Sequence, residues 1–370
     1  MDLGQLFMIG FDGTTVPAET QSLFRWNKAG GAILFRRNIE SLEQVVELNA
    51  ALCELGSADM PMLIGVDQEG GRVARLREIC TPIPAMRALG TASQDENDLP
   101  YRVGAMMARE LSVLGFHLDF APVVDVDTNP ANPVIGERSF GRDAHHVARS
   151  GAQFIRGMQQ AGVAASAKHF PGHGDTDTDS HLALPRLSHG VERLESIELV
   201  PFQAAIDVGV ATIMTAHVLI PELDPALPAT LSKPILTGIL REKLGYTGVI
   251  VSDDLEMAAV ADHWPIEELV RLGLQAGVDM FLVCHDAEKQ ARAIETAHRC
   301  VEDGTVTKAQ IEASLRRVAE MKHRFVGAPA PPSLDDARQM IRCAPHTELV
   351  SRFSQKDATS GRASSWVDEA

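Results

Sequence analysis

The sequence predicts an α/β fold, a single (β/α)8 barrel of the TIM type with enlarged loops. Three observations lead there. Eight short apolar runs recur over about 320 residues, at 6–11, 31–35, 62–66, 118–126, 164–168, 211–215, 248–251 and 280–283. Each run is continuous rather than alternating, as strands buried on both faces are. Helical patterns separate them, which is the order a parallel sheet requires. A doubly wound open sheet is the runner-up. The strand count and the charged residues scattered at strand ends favour the barrel, and no internal repeat is present.

The helices between the runs carry start and stop signals. Ser41-Leu42-Glu43-Gln44 forms a capping box ahead of a stripe of Leu42, Val45, Leu48 and Leu52. Asp143 is placed to cap a helix whose apolar face is Val147, Phe154, Ile155 and Met158. Pro201 and Pro265 suit first helical positions, and Gly209 and Gly277 suit C-terminal stops. Thr307-Lys308-Ala309-Gln310 opens a last long helix with Ile311, Leu315, Val318 and Phe325 inward. These stripes are core. The catalytic barrel is expected to span residues 1–327. Residues 328–370 then hold a stiff Pro-rich linker, a short helix over 333–342 and a Ser-rich tail that lacks an apolar period from about Ser351.

A chain of 370 residues with 45% hydrophobic content buries a large core. Fifty acidic against 34 basic residues give a net charge of −16, the wrong sign for a nucleic-acid surface, and solubility explains it. Five dispersed cysteines without C-x-x-C spacing read as reduced thiols rather than a disulfide framework or zinc site. The first residues lack a basic targeting region, and no apolar run approaches a membrane span. The expectation is a cytoplasmic protein.

Ionisable residues gather where the runs stop. The third run is followed by Asp67-Gln68-Glu69-Gly70-Gly71-Arg72-Val73-Ala74-Arg75, the fourth and its loop by Glu137-Arg138, and the fifth ends in Lys168-His169. The sixth leads to His217 and the seventh to Ser252-Asp253-Asp254. Singly, each is an ordinary salt bridge or capped turn. At the C-terminal ends of barrel strands, all converge on one mouth.

The densest stretch is Lys168-His169-Phe170-Pro171-Gly172-His173-Gly174-Asp175-Thr176-Asp177-Thr178-Asp179-Ser180-His181. Gly172 and Gly174 make it a loop capable of movement. The Asp-x-Asp-x-Asp spacing suggests an EF-hand, but Ser180 stands where glycine is needed and Arg186 where the bidentate glutamate belongs. A transition-metal site on His173, Asp175 and His181 is a rival, as is a plain solvated loop.

This stretch closely resembles the KHFPGHG…DSH signature of glycoside hydrolase family 3, specifically its bacterial β-N-acetylglucosaminidases. The resemblance covers roughly residues 1–325 and holds at each strand end named above. It implies a dyad in which His181 is the general acid/base and Asp179 orients it; a neighbouring carboxylate favours the imidazolium a proton donor needs. It implies Asp253 as the nucleophile. Strand alternation allows only one of Asp253 and Asp254 to face the mouth, and the motif rather than the alternation selects Asp253. It further implies that Asp67, Arg75, Arg138, Lys168 and His169 contact the sugar, whose paired hydroxyls suit bidentate groups.

The activity so implied is retaining exo-hydrolysis of terminal β-linked N-acetylglucosamine from peptidoglycan fragments carrying 1,6-anhydro-N-acetylmuramic acid, with or without peptide. The expected partner is a small-molecule glycoside, bound by a monomer with no cofactor, no metal, no nucleic acid and no membrane. Rivals are a β-glucosidase, which lacks the Asp-x-His loop, and a phosphorylase, since a histidine acid/base adds no negative charge to repel phosphate. A catalytically silent sugar-binding protein and a metal-dependent hydrolase are the alternatives from other classes.

Overall fold

The computed structural model describes residues 1–177, 179, 184–327 and 332–354. Its strands are β1 (Phe7–Ile9), β2 (Gly31–Leu34), β3 (Leu63–Val66), β4 (Gln68–Gly70), β5 (Val73–Ala74), β6 (Leu118–Asp119), β7 (Ala164–Phe170), β8 (Thr212–Thr215), β9 (Val249–Asp254) and β10 (Met280–Val283). Eight close into a barrel in the order β1-β10-β9-β8-β7-β6-β3-β2, while β4 and β5 form a separate hairpin. Every barrel pair is parallel. The expected (β/α)8 barrel is therefore the fold, and each predicted run supplies one of its strands.

The fourth run departs from expectation. Residues 118–126 read as one strand, but regular pairing stops at Asp119. Pro122 has no N–H to donate, which interrupts a ladder. The segment nonetheless stays beside β7: Pro122 O accepts from Lys168 N at 3.3 Å and Val124 N donates to Lys168 O at 2.9 Å. This keeps Asp125 in the barrel wall.

Local signals set the helix ends. Asp143 Oδ1 accepts from His146 N at 2.7 Å, and the Thr307 capping box closes in both directions. At Ser41 only half the box forms, because the Gln44 side chain accepts from Glu40 N instead. Gly209 and Gly277 take φ of 71° and 106°, the left-handed geometry of helix stops. Pro265 caps its helix from just outside, and Pro201 falls within the Leu199–Asp207 helix rather than at its start. The turns before Pro201 are already helical, so its missing N–H falls inside a longer helical run, directly after the π-helical stretch Leu194–Glu198. The Leu99–Val113 and Ala144–Gln160 helices press together at two glycines. A Cβ on Gly104 would lie 2.3 Å from Phe154 O, and one on Gly157 would lie 1.9 Å from Tyr101 O.

The C-terminal region holds more structure than its sequence suggested. Beyond the expected short helix, found at Leu334–Met340, a second helix runs over Ala344–Ser354. It buries His346, Leu349, Val350 and Phe353 against the barrel. The stretch from Ser351, expected to lack regular structure, is therefore helical as far as Ser354. Residues 351–354 alone show no apolar repeat; Phe353 is recruited by a surface that local sequence does not reveal.

One buried amine stands apart from the mouth. Lys322, on the Lys308–Phe325 helix, is 3% exposed and donates to Gln5 Oε1 at 2.7 Å. Burial pushes its pKa down to about 7. The unfolded chain thus binds a proton between about pH 7 and 10.5 that the folded chain does not. This group lowers stability fully below pH 7, and the penalty fades as pH rises to 10.5. Lys322→Met is expected to raise unfolding free energy by about 2 kcal/mol at pH 7, discounted for the donor lost to Gln5. The gain should shrink toward pH 10 in urea titrations; a destabilised variant at pH 7 would contradict it.

Candidate active site

The two strands that supply most of the site each gain a residue at their C-terminal ends. Between Ala167 and Phe170, β7 advances three residues while β8 advances two. Between Val251 and Asp254, β9 likewise advances three against two of β10. An extra residue bulges the strand and re-aims its side chains. The first bulge holds Lys168 and His169, and the second holds Ser252 and Asp253. The Lys168–His169 peptide is cis.

Four charged groups lock together across the mouth. Lys168 Nζ sits 2.7 Å from both Asp67 Oδ1 and Glu69 Oε1. Arg138, from the turn Gly136–Arg138, donates to both oxygens of Glu69 at 2.8 Å. The Glu69 side chain is 1% exposed and that of Lys168 is 3%. Burial pushes the Glu69 carboxyl up, but Arg138 and Lys168 outweigh it and hold the group well below the usual carboxylate range. Burial likewise pushes Lys168 down, and Asp67 and Glu69 overcome it to raise the ammonium pKa. Glu69, Lys168 and Arg138 therefore stay charged at neutral pH. Buried charges persist only when paired in this way.

A second chain of contacts runs through Asp125. Its Oδ2 accepts from His169 Nδ1 at 2.8 Å, which turns the ring's Nε2 toward Arg138 Nη2 at 3.4 Å. Oδ1 accepts from His173 N at 2.7 Å. His173 in turn lies 2.6 Å by Nδ1 from Thr176 Oγ1, at the foot of the loop. Burial holds His173 down to about 4, so it is neutral.

Asp253 and Asp254 diverge. Asp254 turns toward β10: its Oδ1 accepts from Cys284 N at 3.3 Å and its Oδ2 lies 3.2 Å from His285 Nε2. Asp253 accepts from Asp254 N at 2.9 Å. Burial raises the Asp253 pKa, but His217, His169, that N–H and Lys168 together depress it, leaving an ionised carboxylate. His217 is held by Thr230 Oγ1 at 2.8 Å and by Asp254 O at 2.9 Å. One carboxylate thus faces imidazole and ammonium groups at the mouth, while its neighbour is spent on the Cys284 N–H and the His285 ring.

The remaining predicted residues fall around this centre. Arg75 follows the β4–β5 hairpin; its guanidinium lies over the Phe35 ring at 5.7 Å, and its buried Nε has no partner among the described residues. Burial and Arg138 push the pKa of the half-buried Arg72 down, and the Asp179 carboxylate is among the charges that oppose them, which places it near the hairpin side of the mouth. His181 lies outside the described residues. Of the three residues weighed as metal ligands, Asp175 accepts from Thr128 Oγ1 at 2.8 Å and pairs with His189, while His173 faces Thr176. A separate groove of about 1090 Å³ on the barrel's flank, lined by Arg149, Gln153, Leu199 and Gln203 among others, contains none of the strand-end groups.

Sequence reasoning gave Asp125 no place in the site, and it put Glu69 and His217 at the mouth without assigning either a role. Asp125 carried a signal, since an aspartate inside an apolar run must find a buried partner. His217 ended a strand and was weighed only as one of several. Glu69 sat in a motif where Asp67 drew the attention.

Residues 1–321 match the model of the glycosyl hydrolase family 3 N-terminal domain. The chain is 37% identical over 358 residues to a β-hexosaminidase of Nitrosomonas eutropha, covering 96% of this chain and 98% of that protein. It is 35% identical over 365 residues to β-hexosaminidase A of Pseudoalteromonas piscicida, covering 92% of this chain but only 60% of that longer protein. Among solved structures, a family 3 β-N-acetylglucosaminidase from Paenibacillus superposes with a TM-score of 0.90 at 43% identity, over 96% of this chain and 68% of its own. The chain belongs to glycosyl hydrolase family 3, among its β-hexosaminidases, and is a glycosidase.

Proposed function

We propose that this glycosidase removes terminal β-linked N-acetylglucosamine with retention of configuration, acting on small peptidoglycan fragments that end in 1,6-anhydro-N-acetylmuramic acid. The observation that carries the reading is Asp253: a strand-end carboxylate, ionised among His217, His169 and Lys168, beside an Asp254 turned away. Asp253 attacks the anomeric carbon, forming a covalent glycosyl-enzyme as the glycosidic bond breaks. His181, oriented by Asp179, protonates the departing oxygen. Neutral His181 then takes a proton from water, whose oxygen displaces Asp253 and releases the sugar. Asp67, Arg75, Arg138, Lys168 and His169 hold the ring. The charged lattice beneath them supports this, because groups locked by one another are pre-set before substrate arrives. A cytoplasmic monomer that needs no cofactor, membrane or nucleic acid belongs to the same proposal. Among the described residues no helix is long and apolar enough to cross a membrane.

The test is hydrolysis of matched aryl β-glycosides of N-acetylglucosamine and glucose, with and without phosphate. The expected outcome is a preference of about a hundredfold or more in kcat/KM for the acetamido sugar, with the free sugar as product. Glycosyl phosphate as the main product would make the enzyme a phosphorylase, and equal rates would make it a β-glucosidase. His181→Ala adds a second check. Substrates with good leaving groups need little protonation and should lose about 10-fold, against roughly 10³-fold for natural linkages. Equal losses on both would remove His181 from the acid role.

A further inference from the structure

The segment after β5, residues 75–81, begins with Arg75 and is gripped from outside by the C-terminal arm. Arg342 lies between the arm's two helices. Its Nε donates to Cys80 O at 2.9 Å, and its Nη2 donates to Arg77 O at 2.9 Å and to Glu78 O at 2.8 Å. The Arg77 side chain continues the tie by donating to Gly71 O in the hairpin. The Arg342 backbone is anchored too, donating from its N–H to Glu110 Oε1 at 3.0 Å. Glu110 is 2% exposed and also holds Thr81 and His346, so both ends of the grip close on one buried carboxylate.

The conformation at Arg342 is unusual for its residue type. Its φ is +53°, a left-handed geometry that suits glycine and costs an arginine. Such a conformation persists where the surroundings demand the side chain. Arg75, by contrast, has the Phe35 ring 5.7 Å from its guanidinium and its own backbone to direct it. Its N–H donates to Asp67 O at 3.3 Å, and its Nε has no partner among the described residues.

We propose that Arg342 is a positioning residue for substrate binding: by holding the carbonyls of residues 77, 78 and 80, it sets where the Arg75 guanidinium stands over the sugar. The inference rests on the reading of Arg75 as a sugar contact. It assigns a role in the mouth to a part of the chain more than 260 residues away in sequence.

Steady-state kinetics of the full chain on an aryl N-acetyl-β-glucosaminide tests it. Arg342→Ala and Arg342→Gly should both raise KM on the order of tenfold while kcat changes less than about twofold. Glycine suits the left-handed backbone, so Arg342→Gly should fold at least as stably as the alanine variant while keeping the KM defect. Adding Arg342→Gly to Arg75→Ala should leave KM where Arg75→Ala alone puts it, since both act through one guanidinium. Phe353→Ala removes buried packing of the Ala344–Ser354 helix while keeping every Arg342 bond to the loop; it should lower Tm and leave KM alone. A wild-type KM in Arg342→Gly, or KM effects that multiply in the double variant, would overturn the proposal. A wild-type KM in Arg75→Ala alone would overturn it differently, by removing the sugar contact on which it rests.

Discussion

Asp253→Ala is expected to lower kcat on aryl N-acetyl-β-glucosaminides by about 10⁴-fold to 10⁶-fold, the largest effect of any single change in this chain. At 1.36 kcal/mol per factor of ten, the loss is roughly 5–8 kcal/mol of transition-state stabilisation. Sugar affinity, measured by calorimetry with a non-hydrolysable N-acetylglucosamine analogue, should change little, because the lattice of Asp67, Glu69, Lys168 and Arg138 does not depend on Asp253. The neighbour supplies the control. Asp254→Asn weakens bonds to Cys284 N and His285, and its main effect should be on stability. Azide adds a stereochemical readout. In the space vacated by the carboxylate it attacks from the nucleophile's side, so a β-substrate gives an α-glycosyl azide. Loss of turnover in Asp254→Asn with turnover kept in Asp253→Ala would reverse the assignment.

Glu69→Gln is expected to cost about 3–5 kcal/mol in stability and to weaken substrate binding as well, because it leaves two buried cations facing one carboxylate. Bidentate contact with Arg138 and the ion pair with Lys168 both weaken, and these are residues proposed to hold the sugar. The pH dependence follows from the direction of the shift. The folded carboxyl lies below its unfolded value, so its stabilisation is fully present above about pH 4.5 and is lost as pH falls from there. Chemical unfolding at pH 7 should therefore separate the two proteins widely, and at pH 4 or below less so. A gap unchanged between those pH values would show that Glu69 acts through shape rather than charge.

Much of this was legible in the sequence, and the reasons differ by element. The eight strands could be read because a barrel strand is buried on both faces, which leaves a continuous apolar run. Caps at Asp143 and Thr307 could be read because they depend on residues three apart in the chain. The fourth strand was overextended because Pro122 interrupts pairing while the apolar run continues. The Ala344–Ser354 helix was missed because its stability comes from Glu110 and the barrel surface rather than from its own pattern.

Local periodicity and short motifs are enough to specify the barrel, the family and the ionisable residues at the strand ends. How those residues divide their work follows from contacts made only once the chain has folded. Two register shifts between neighbouring strands aim Lys168, His169 and Asp253 and turn Asp254 aside. Glu69, Asp125 and Arg342 acquire their importance from partners tens to hundreds of residues away. The physical reason is the same in each case: a buried charge or hydrogen-bond donor takes its direction from whichever group folding brings within about 3 Å of it, and that distance is not written along the chain.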